Sequence, residues 1–278
     1  MDQTGGVGMT VKLVSNEKIA ETSSKGNQEK WQAQGKWYKL DQFGYEALAE
    51  TFTSMLLERS NIEIDTTFTF TRYQMERLNV HGRDRTGCSS VNFLGNRESI
   101  VTINHLFKQY LGGSLADTLS RLSSDKKRMA YLAEATAEIT GLAEFPQYLT
   151  LLFEIDALVL NDDRHLNNIA VIAKDSKFDY CPIFDQGAGL LSNMMYAPMH
   201  IIPKTLIAEA QARPFNTTFN RQIRTMQGMY GKQLHLPRFT RRELCEILEP
   251  LLPYYAMRDR DLIADRVCET ILTRQKQQ

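Results

Sequence analysis

The chain has 278 residues, which allows one large domain or two lobes and is ample for a hydrophobic core. Hydrophobic residues make up 42% and charged residues 24%, which are ordinary values for a globular protein. Basic and acidic residues both number 33, and this zero formal net charge argues against nucleic acid as a direct ligand. The sequence contains no apolar run of membrane-spanning length and no signal-peptide core, so a cytoplasmic protein without membrane contact is expected.

Cysteine usage agrees with that expectation. The four cysteines are far apart in the sequence and fit neither the spacing of a zinc site nor a disulfide scaffold. We expect reduced and mostly buried thiols at Cys88, Cys181, Cys245 and Cys268.

The first part of the chain is typical of a small, strand-rich lobe. Alternating aromatic and basic residues predict a strand at 36–40, and apolar residues at helical spacing predict a helix at 45–59. Further strands are predicted at 68–75, 89–94 and 100–103.

From about His105 onward the pattern is mainly helical. The clearest helices are predicted at 115–122, 126–139, 147–160, 241–252 and 261–272. They are interrupted by a hairpin, with strands at 169–173 and 180–184 and a polar turn at 174–177. The sequence therefore predicts an α+β fold of two lobes, with a boundary between residues 1–98 and 99–278.

Three oxygen-bearing side chains flank this hairpin. Asp163 and Asn168 precede its first strand, and Asp185 follows its second strand. A hairpin returns the chain to its start, so Asp185 is expected beside Asn168. An acid that takes or orients a hydroxyl, with an amide and a second acid that hold Mg²⁺ on nucleotide phosphates, is the arrangement that phosphoryl transfer requires.

The run Asp163-Arg164-His165-Leu166-Asn167-Asn168 is by itself equally typical of a solvated loop with a salt bridge. The second acid at the end of the returning strand, followed by Gly187, favours the phosphoryl-transfer interpretation.

Three features of the first lobe suit phosphate chemistry. Gly26 lies in a polar stretch before the first strands, where its backbone could approach phosphate oxygens closely. Lys39 ends a strand, from which its ammonium could reach the α- and β-phosphates. Glu46 begins the next helix and could pair with Lys39, and Glu50, one turn later, is a second candidate for this pair.

The order of these parts is that of protein kinases. Three segments make the resemblance more specific and point to one kinase family. The stretch from Ser23 to Lys30, with Gly26-Asn27-Gln28-Glu29-Lys30, resembles the phosphate loop of HipA-like serine/threonine kinases. The segment 160–168 is similar to the catalytic loop of that family, and 181–185 resembles its metal-binding strand end. The resemblance covers about residues 23–191 in ordered blocks.

This resemblance implies a protein-kinase-like fold and the cofactors ATP and Mg²⁺. It implies that Asp163 is the catalytic base, that Lys39 binds nucleotide phosphates and that Glu46 is the helix acid. It also implies that Asn168 and Asp185 are the magnesium ligands. The remaining nucleotide-binding positions that it implies are Ser23, Ser24, Gly26, Gln28 and Lys30.

Members of the family phosphorylate a serine of their own phosphate loop, and Ser23 matches that position, with Ser24 beside it. A phosphate there would add negative charge where the ATP phosphates must bind. The resemblance thus implies that Ser23 is a self-inactivation switch.

Two departures limit the inference. The family's namesake has an additional N-terminal module, so this chain is expected to be a minimal kinase core or the kinase half of a split system. The metal motif is Asp185-Gln186-Gly187 and lacks the phenylalanine of eukaryotic kinases, which makes a eukaryotic activation loop unexpected.

Two smaller assignments complete the predicted site. His165 is a candidate for proton transfer, as in phosphoinositide kinases, or for a hydrogen bond that braces the loop. Asn92 and Phe93 lie where the strand predicted at 89–94 leaves the first lobe, and their backbone is expected to form an adenine-binding hinge.

The sequence therefore predicts an ATP- and Mg²⁺-dependent protein serine/threonine kinase, and the resemblance suggests a role as a toxin or effector. The resemblance suggests a translation-linked protein substrate, such as an aminoacyl-tRNA synthetase, and an antitoxin or regulatory partner. A lipid or small-molecule kinase, and a catalytically silent nucleotide-binding protein, remain alternatives.

Overall fold

The computed structural model describes the backbone of residues 11–14 and residues 29–277. The predicted phosphate-loop residues Ser23, Ser24, Gly26 and Gln28 lie outside the described residues.

The small lobe is built on a five-stranded sheet with the order β1-β4-β5-β3-β2. Its strands are β1 (Val11–Val14), β2 (Lys30–Ala33), β3 (Lys36–Leu40), β4 (Tyr73–Val80) and β5 (Arg83–Val91). Strand β1 runs parallel to β4, and the other pairings are antiparallel. Two-residue turns close the hairpins at Gln34-Gly35 and His81-Gly82, where all φ angles are positive, as in the tight turns that suit twisted strands.

Helix α1 (Glu46–Leu57) packs against this sheet, and all its residues except Met55 are buried. A short helix, α2 (Ile62–Asp65), follows it. An ordinary surface helix exposes one face, so the burial of α1 shows that it is covered on its outer side as well.

The second lobe begins with a three-stranded sheet and continues as helices. Its strands β6 (Glu98–Thr102), β7 (Ala170–Lys174) and β8 (Lys177–Tyr180) are antiparallel, in the order β6-β7-β8. The helices before the hairpin are α3 (Ile103–Leu111), α4 (Leu115–Ser120), α5 (Asp125–Thr140) and α6 (Phe145–Val159). Those after it are α7 (Pro203–Glu209), α8 (Phe219–Tyr230), α9 (Arg241–Leu248) and α10 (Met257–Arg274), with a 3₁₀ turn at Leu252–Tyr254.

The main hydrophobic core runs through both lobes. One cluster of buried side chains includes Leu48 and Phe52 of α1, Phe153 of α6 and Val267 of α10. The lobes therefore share a core and are not two separately packed units.

Three predicted strands are displaced in the structure. The one predicted at 89–94 corresponds to β5, which begins at Arg83 and ends at Val91. The strand predicted at 68–75 begins only at Tyr73, and the preceding segment makes an isolated bridge between Phe70 and Ile183. The strand predicted at 180–184 is wrong, since β8 ends at Tyr180. Pro182 lacks the N–H that a continued ladder would need, so the chain leaves the sheet there.

The predicted helix 241–252 ends at Leu248, just before Pro250, because proline cannot continue a helix. No helix among the described residues is long and apolar enough to cross a membrane.

Candidate phosphoryl-transfer site

Lys39 joins the two lobes through its ammonium group. Its Nζ lies 2.5 Å from Oε1 of Glu50 on α1 and 2.6 Å from Oδ1 of Asp185. The side chain is only 11% exposed, and its Nζ lies 5.3 Å from the centre of the Tyr73 ring. Residues 146 positions apart in the sequence thus meet at one buried charge cluster.

The predicted pairing of Lys39 with Glu46 is wrong, and Glu50, the second candidate, is the partner. The carboxylate of Glu46 instead accepts hydrogen bonds from the backbone N–H groups of Gln42, Phe43 and Gly44, at 3.3, 2.8 and 3.1 Å. Glu46 therefore stabilises the loop before the helix, where exposed N–H groups attract a negative charge.

Glu50 also fixes the segment Asp185-Gln186-Gly187, which contains the predicted metal ligand and is called the metal loop below. Its Oε2 accepts a hydrogen bond of 2.7 Å from the backbone N–H of Gln186. Gly187 packs so closely on Glu50 that an added Cβ would lie 3.3 Å from Oε1. One carboxylate thereby orients both Lys39 and the backbone that follows Asp185.

The charges of the cluster follow from its contacts. Burial by itself would raise the pKa of Asp185, but the neighbouring ammonium of Lys39 and its hydrogen bond hold that pKa far below the usual range. Burial would lower the pKa of Lys39, but the carboxylates of Asp185 and Glu50 raise it well above its ordinary value. Asp185 is therefore an anion and Lys39 a cation at neutral pH.

Lys30 lies directly opposite Lys39 in the β2–β3 pairing. Directly opposite residues of an antiparallel pair share a face of the sheet, so both lysines face the cleft. Burial lowers the pKa of Lys30, while the charges of Asp185 and Glu50 raise it and that of Lys39 lowers it. Two basic side chains thus lie near the metal-loop carboxylate.

The residues of the predicted catalytic loop, 160–168, lie just after α6. Leu160 ends that helix with a left-handed φ of 56° and turns the chain toward the site. The Asp163 carbonyl accepts hydrogen bonds from the backbone N–H of His165 at 2.8 Å and from Nδ2 of Asn168 at 2.9 Å. Because its amide nitrogen is engaged, the Asn168 side chain has a fixed direction and its Oδ1 remains to act as an acceptor or ligand.

Asp163 itself is exposed, with 65% of its side chain accessible. The Nε2 atom of His165 lies 4.0 Å from its Oδ1, beyond a normal hydrogen bond. An accessible carboxylate on a braced loop is suited to receive a substrate hydroxyl, whereas the His165 ring contacts this carboxylate only loosely.

Arg164 has a role that the sequence did not predict. Its side chain is buried, and its guanidinium bonds both Asp156 carboxylate oxygens, at 2.9 and 3.0 Å. One terminal nitrogen donates to the Asn168 carbonyl at 2.8 Å and to the Phe184 carbonyl at 3.0 Å. The other donates to the Asp185 carbonyl at 3.2 Å. One arginine thus holds the catalytic and metal loops side by side.

A sequence signal for this contact exists on α6. Asp156 stands in the apolar stretch Leu151-Leu152-Phe153-Glu154-Ile155-Asp156-Ala157-Leu158-Val159, where a buried acid needs a partner. Asn161 supplements that partner, since its Nδ2 donates to Oδ1 of Asp156 at 2.9 Å and to the Asp185 carbonyl at 3.1 Å.

The predicted hinge residues lie where the chain leaves the small lobe. The Asn92 N–H donates to the carbonyl of Gly35 at 2.8 Å, so this group is not the donor that an adenine would need. The Asn92 side chain accepts from Nε1 of Trp37 at 3.2 Å. Phe93 packs near Phe184, with ring centres 6.2 Å apart. These contacts put an apolar surface beside the metal loop.

The residues present fit a magnesium ion on nucleotide phosphates. Asp185 is ionised, and Asn168 presents an oriented amide oxygen, which are the hard oxygen ligands that Mg²⁺ prefers. In the described part of the chain, no group of three His, Cys, Asp or Glu residues forms a metal cage. Mg²⁺ does not need one, because phosphates and water complete its coordination.

The fold of this chain is similar to that of solved structures, although sequence comparisons find no match. No protein-family model matches the sequence, and no curated protein matches it. The crystal structure of the Helicobacter pylori proinflammatory kinase CtkA matches with a TM-score of 0.58 at 11% identity, over 92% of this chain and 89% of that chain.

A second solved structure is the toxin–antitoxin complex of HipA, HipB and operator DNA from Shewanella oneidensis MR-1. It matches with a TM-score of 0.45 at 13% identity, over 91% of this chain and 64% of that chain. This chain thus spans less than two thirds of the chain it matches there. The similarity to CtkA is the one that shows the architecture, and the chain has the two-lobed α+β fold of a kinase, as predicted.

Proposed function

We propose that the chain is an ATP- and Mg²⁺-dependent kinase that phosphorylates serine or threonine of a protein. The observation that carries this proposal is the buried contact of Lys39 with both Glu50 and Asp185. Protein-kinase sites require a strand lysine paired with a helix glutamate, together with an aspartate that holds Mg²⁺. The kinase fold is consistent with it.

Each residue has a role in this proposal. Bound Mg²⁺, held by Asp185 and Asn168, would neutralise charge on the phosphates. Lys39 and Lys30 orient the phosphate oxygens. The substrate hydroxyl oxygen bonds to the γ-phosphorus as the bond to the β–γ bridging oxygen breaks, and the hydroxyl proton passes to the Asp163 carboxylate. ADP leaves with the electron pair of the broken bond.

The protein substrate, its possible link to translation and an antitoxin partner stay predictions from the resemblance. Phosphorylation of Ser23 or Ser24 is likewise a prediction, because these residues lie outside the described part of the chain. The accessible Asp163 carboxylate supports a large substrate, since a protein hydroxyl can approach an exposed loop.

Intact-mass analysis after incubation with ATP and Mg²⁺ tests the proposal. We expect phosphate to be added to the wild type and not to Asp163→Ala or Asp185→Asn. The matched control is Asp179→Ala, an exposed acid on β8 outside the site, which should behave as the wild type. Calorimetry measures ATP binding separately. Binding without transfer to this chain or to protein acceptors would favour the silent nucleotide-binding alternative.

A further inference from the structure

The helix α1 determines where Glu50 lies, and the segments that flank it on both sides are bonded to the helical lobe. At the N-terminal end, Oδ1 of Asp41 accepts from the backbone N–H of Ala47 in the first turn, at 2.6 Å. The other oxygen of Asp41 accepts from the hydroxyl of Tyr255 at 2.8 Å. Tyr255 lies just before α10, so this carboxylate connects the start of α1 to the helical lobe.

The segment after the metal loop contacts the same end of the helix. The Tyr45 hydroxyl donates to the Leu190 carbonyl at 2.7 Å, and Gly44 makes an antiparallel bridge with Asn193. The approach is so close that a Cβ on Gly44 would lie 1.9 Å from the Ser192 carbonyl oxygen.

At the other end, Asn61 bonds a loop of the helical lobe through three groups. Its Oδ1 accepts from the His235 N–H at 2.8 Å, its Nδ2 donates to the Gln233 carbonyl at 3.0 Å, and its N–H donates to the His235 carbonyl at 3.2 Å. That loop is itself fixed, since the Glu154 carboxylate on α6 accepts from the N–H groups of Gln233 and Leu234.

We propose that Tyr255 and Asn61 are positioning residues that hold α1 against the helical lobe and thereby keep Glu50 paired with Lys39. The inference rests on the proposed function for its catalytic meaning. An outward movement of α1 is then not the way in which this site is controlled, because the helix cannot move outward without breaking contacts on both sides. Formation of the Lys39–Glu50 pair then needs no modification and no partner protein.

Hydrogen exchange of the α1 amides, measured without nucleotide, tests the contact itself. Loss of the Tyr255 hydroxyl bond, or of the two side-chain bonds of Asn61, should speed exchange in Glu46–Leu57 by about fivefold or more. The variants are Tyr255→Phe and Asn61→Ala. The matched control is Tyr254→Phe, whose hydroxyl donates to the Met75 carbonyl at 3.3 Å and does not reach the helix. Unchanged α1 exchange in both variants would overturn the proposal.

A double-mutant cycle with Glu50→Gln distinguishes positioning from a general structural role. Asn61→Ala should weaken binding of ATP with Mg²⁺ in the wild type but have little further effect in Glu50→Gln, because the two act through the same ion pair. Additive losses would contradict positioning through Glu50. If the wild type binds no ATP, the proposed function fails, and the exchange measurement alone decides whether α1 is held.

Discussion

Arg164 illustrates how single residues set the geometry of the site. Its bonds to Asp156 lie in a fully buried environment, while its bonds to the carbonyls of Asn168, Phe184 and Asp185 fix the two loops. Stability and loop position therefore depend on different bonds of the same side chain, and a second substitution at Asp156 can separate the two effects.

The variant Arg164→Met leaves Asp156 as a buried carboxylate without its cationic partner, so we expect a loss of about 3–5 kcal/mol in the free energy of unfolding at neutral pH. The double variant Arg164→Met/Asp156→Asn removes that charge and should recover most of the loss. Denaturant unfolding measures both. Equal stability of the single and double variants would show that the unpaired charge is not the cause.

The same pair predicts a pH dependence. Burial raises the pKa of Asp156, and Arg164 partly offsets this, so its removal raises that pKa further. A raised folded-state pKa gives stability that is complete below the unfolded pKa of about 3.9 and is lost as the pH rises through the folded value. Arg164→Met should therefore lose stability relative to the double variant as the pH rises, by at most about 1.4 kcal/mol per pH unit.

Phosphoryl transfer tests the bonds of Arg164 to the loop carbonyls. The double variant Arg164→Met/Asp156→Asn should fold yet lose about 100-fold in kcat/KM, because loop carbonyls without their donor let catalytic groups shift. Full activity in a folded double variant would mean that the bonds of Arg164 are not needed to position the loops.

Glu46 and Glu50 offer a comparison of two acids on one helix. Glu50→Gln should lower kcat/KM by about 100-fold, since Lys39 loses its ionised partner on α1 and its position. Glu46→Gln should cost less than about tenfold, because its contacts are with loop N–H groups and not with the site. Steady-state kinetics at saturating Mg²⁺ decide between them, and a larger effect of Glu46→Gln would reverse the assignment.

At the scale of elements, close backbone contact between the loop before α1 and the segment after the metal loop organises the site. The bridge between Gly44 and Asn193 depends on the absence of a side chain at Gly44. Arg266 of α10 stabilises the segment after the metal loop, since its guanidinium donates a hydrogen bond to the carbonyl of Ala197 at 2.6 Å.

Two glycine-to-alanine substitutions should have opposite effects. Gly44→Ala must displace the Ser192 carbonyl, so we expect it to lower both the unfolding temperature and the activity. Gly228→Ala lies inside α8, where nothing is within 4 Å of the added Cβ, and should stabilise the protein by about 0.5–1 kcal/mol. Thermal unfolding followed by circular dichroism measures both changes.

At the scale of the whole molecule, the lobes are joined by a shared core and by polar contacts between the segment before α10 and the small-lobe sheet. Tyr254 contacts the small-lobe sheet, where its carbonyl accepts from the side chains of Arg77 and Thr86, both at 2.9 Å. Its ring also lies 5.5 Å from the Arg77 guanidinium. This arrangement favours cooperative unfolding of both lobes.

Calorimetry should therefore show a single unfolding transition. ATP with Mg²⁺ at about 100 times its Kd should stabilise the folded protein by about 2.7 kcal/mol and raise the transition by several degrees. Asp185→Asn should reduce this shift. Two separate transitions would contradict the shared core, and an equal shift in Asp185→Asn would argue against Asp185 as a metal ligand.

The sequence by itself predicted the two-lobed α+β fold, which the structure confirms. It also proposed Lys39, Asp163, Asn168 and Asp185 as site residues, and the structure brings Lys39 and Asp185 into contact. Local patterns carry this information, since strand and helix periodicity and short polar runs are written within a few residues. The displaced strands at 68–75 and 180–184 show the limit, because the end of a strand depends on its neighbours.

Only the tertiary structure decided that Glu50 and not Glu46 pairs with Lys39, and that Arg164 points inward to Asp156. It also decided that Asn61 bonds the backbone of His235 and that Tyr255 bonds Asp41. The physical reason is the same in each case. The alternatives are locally equivalent, and they differ only in contacts with chain segments that are distant in the sequence and adjacent in the fold.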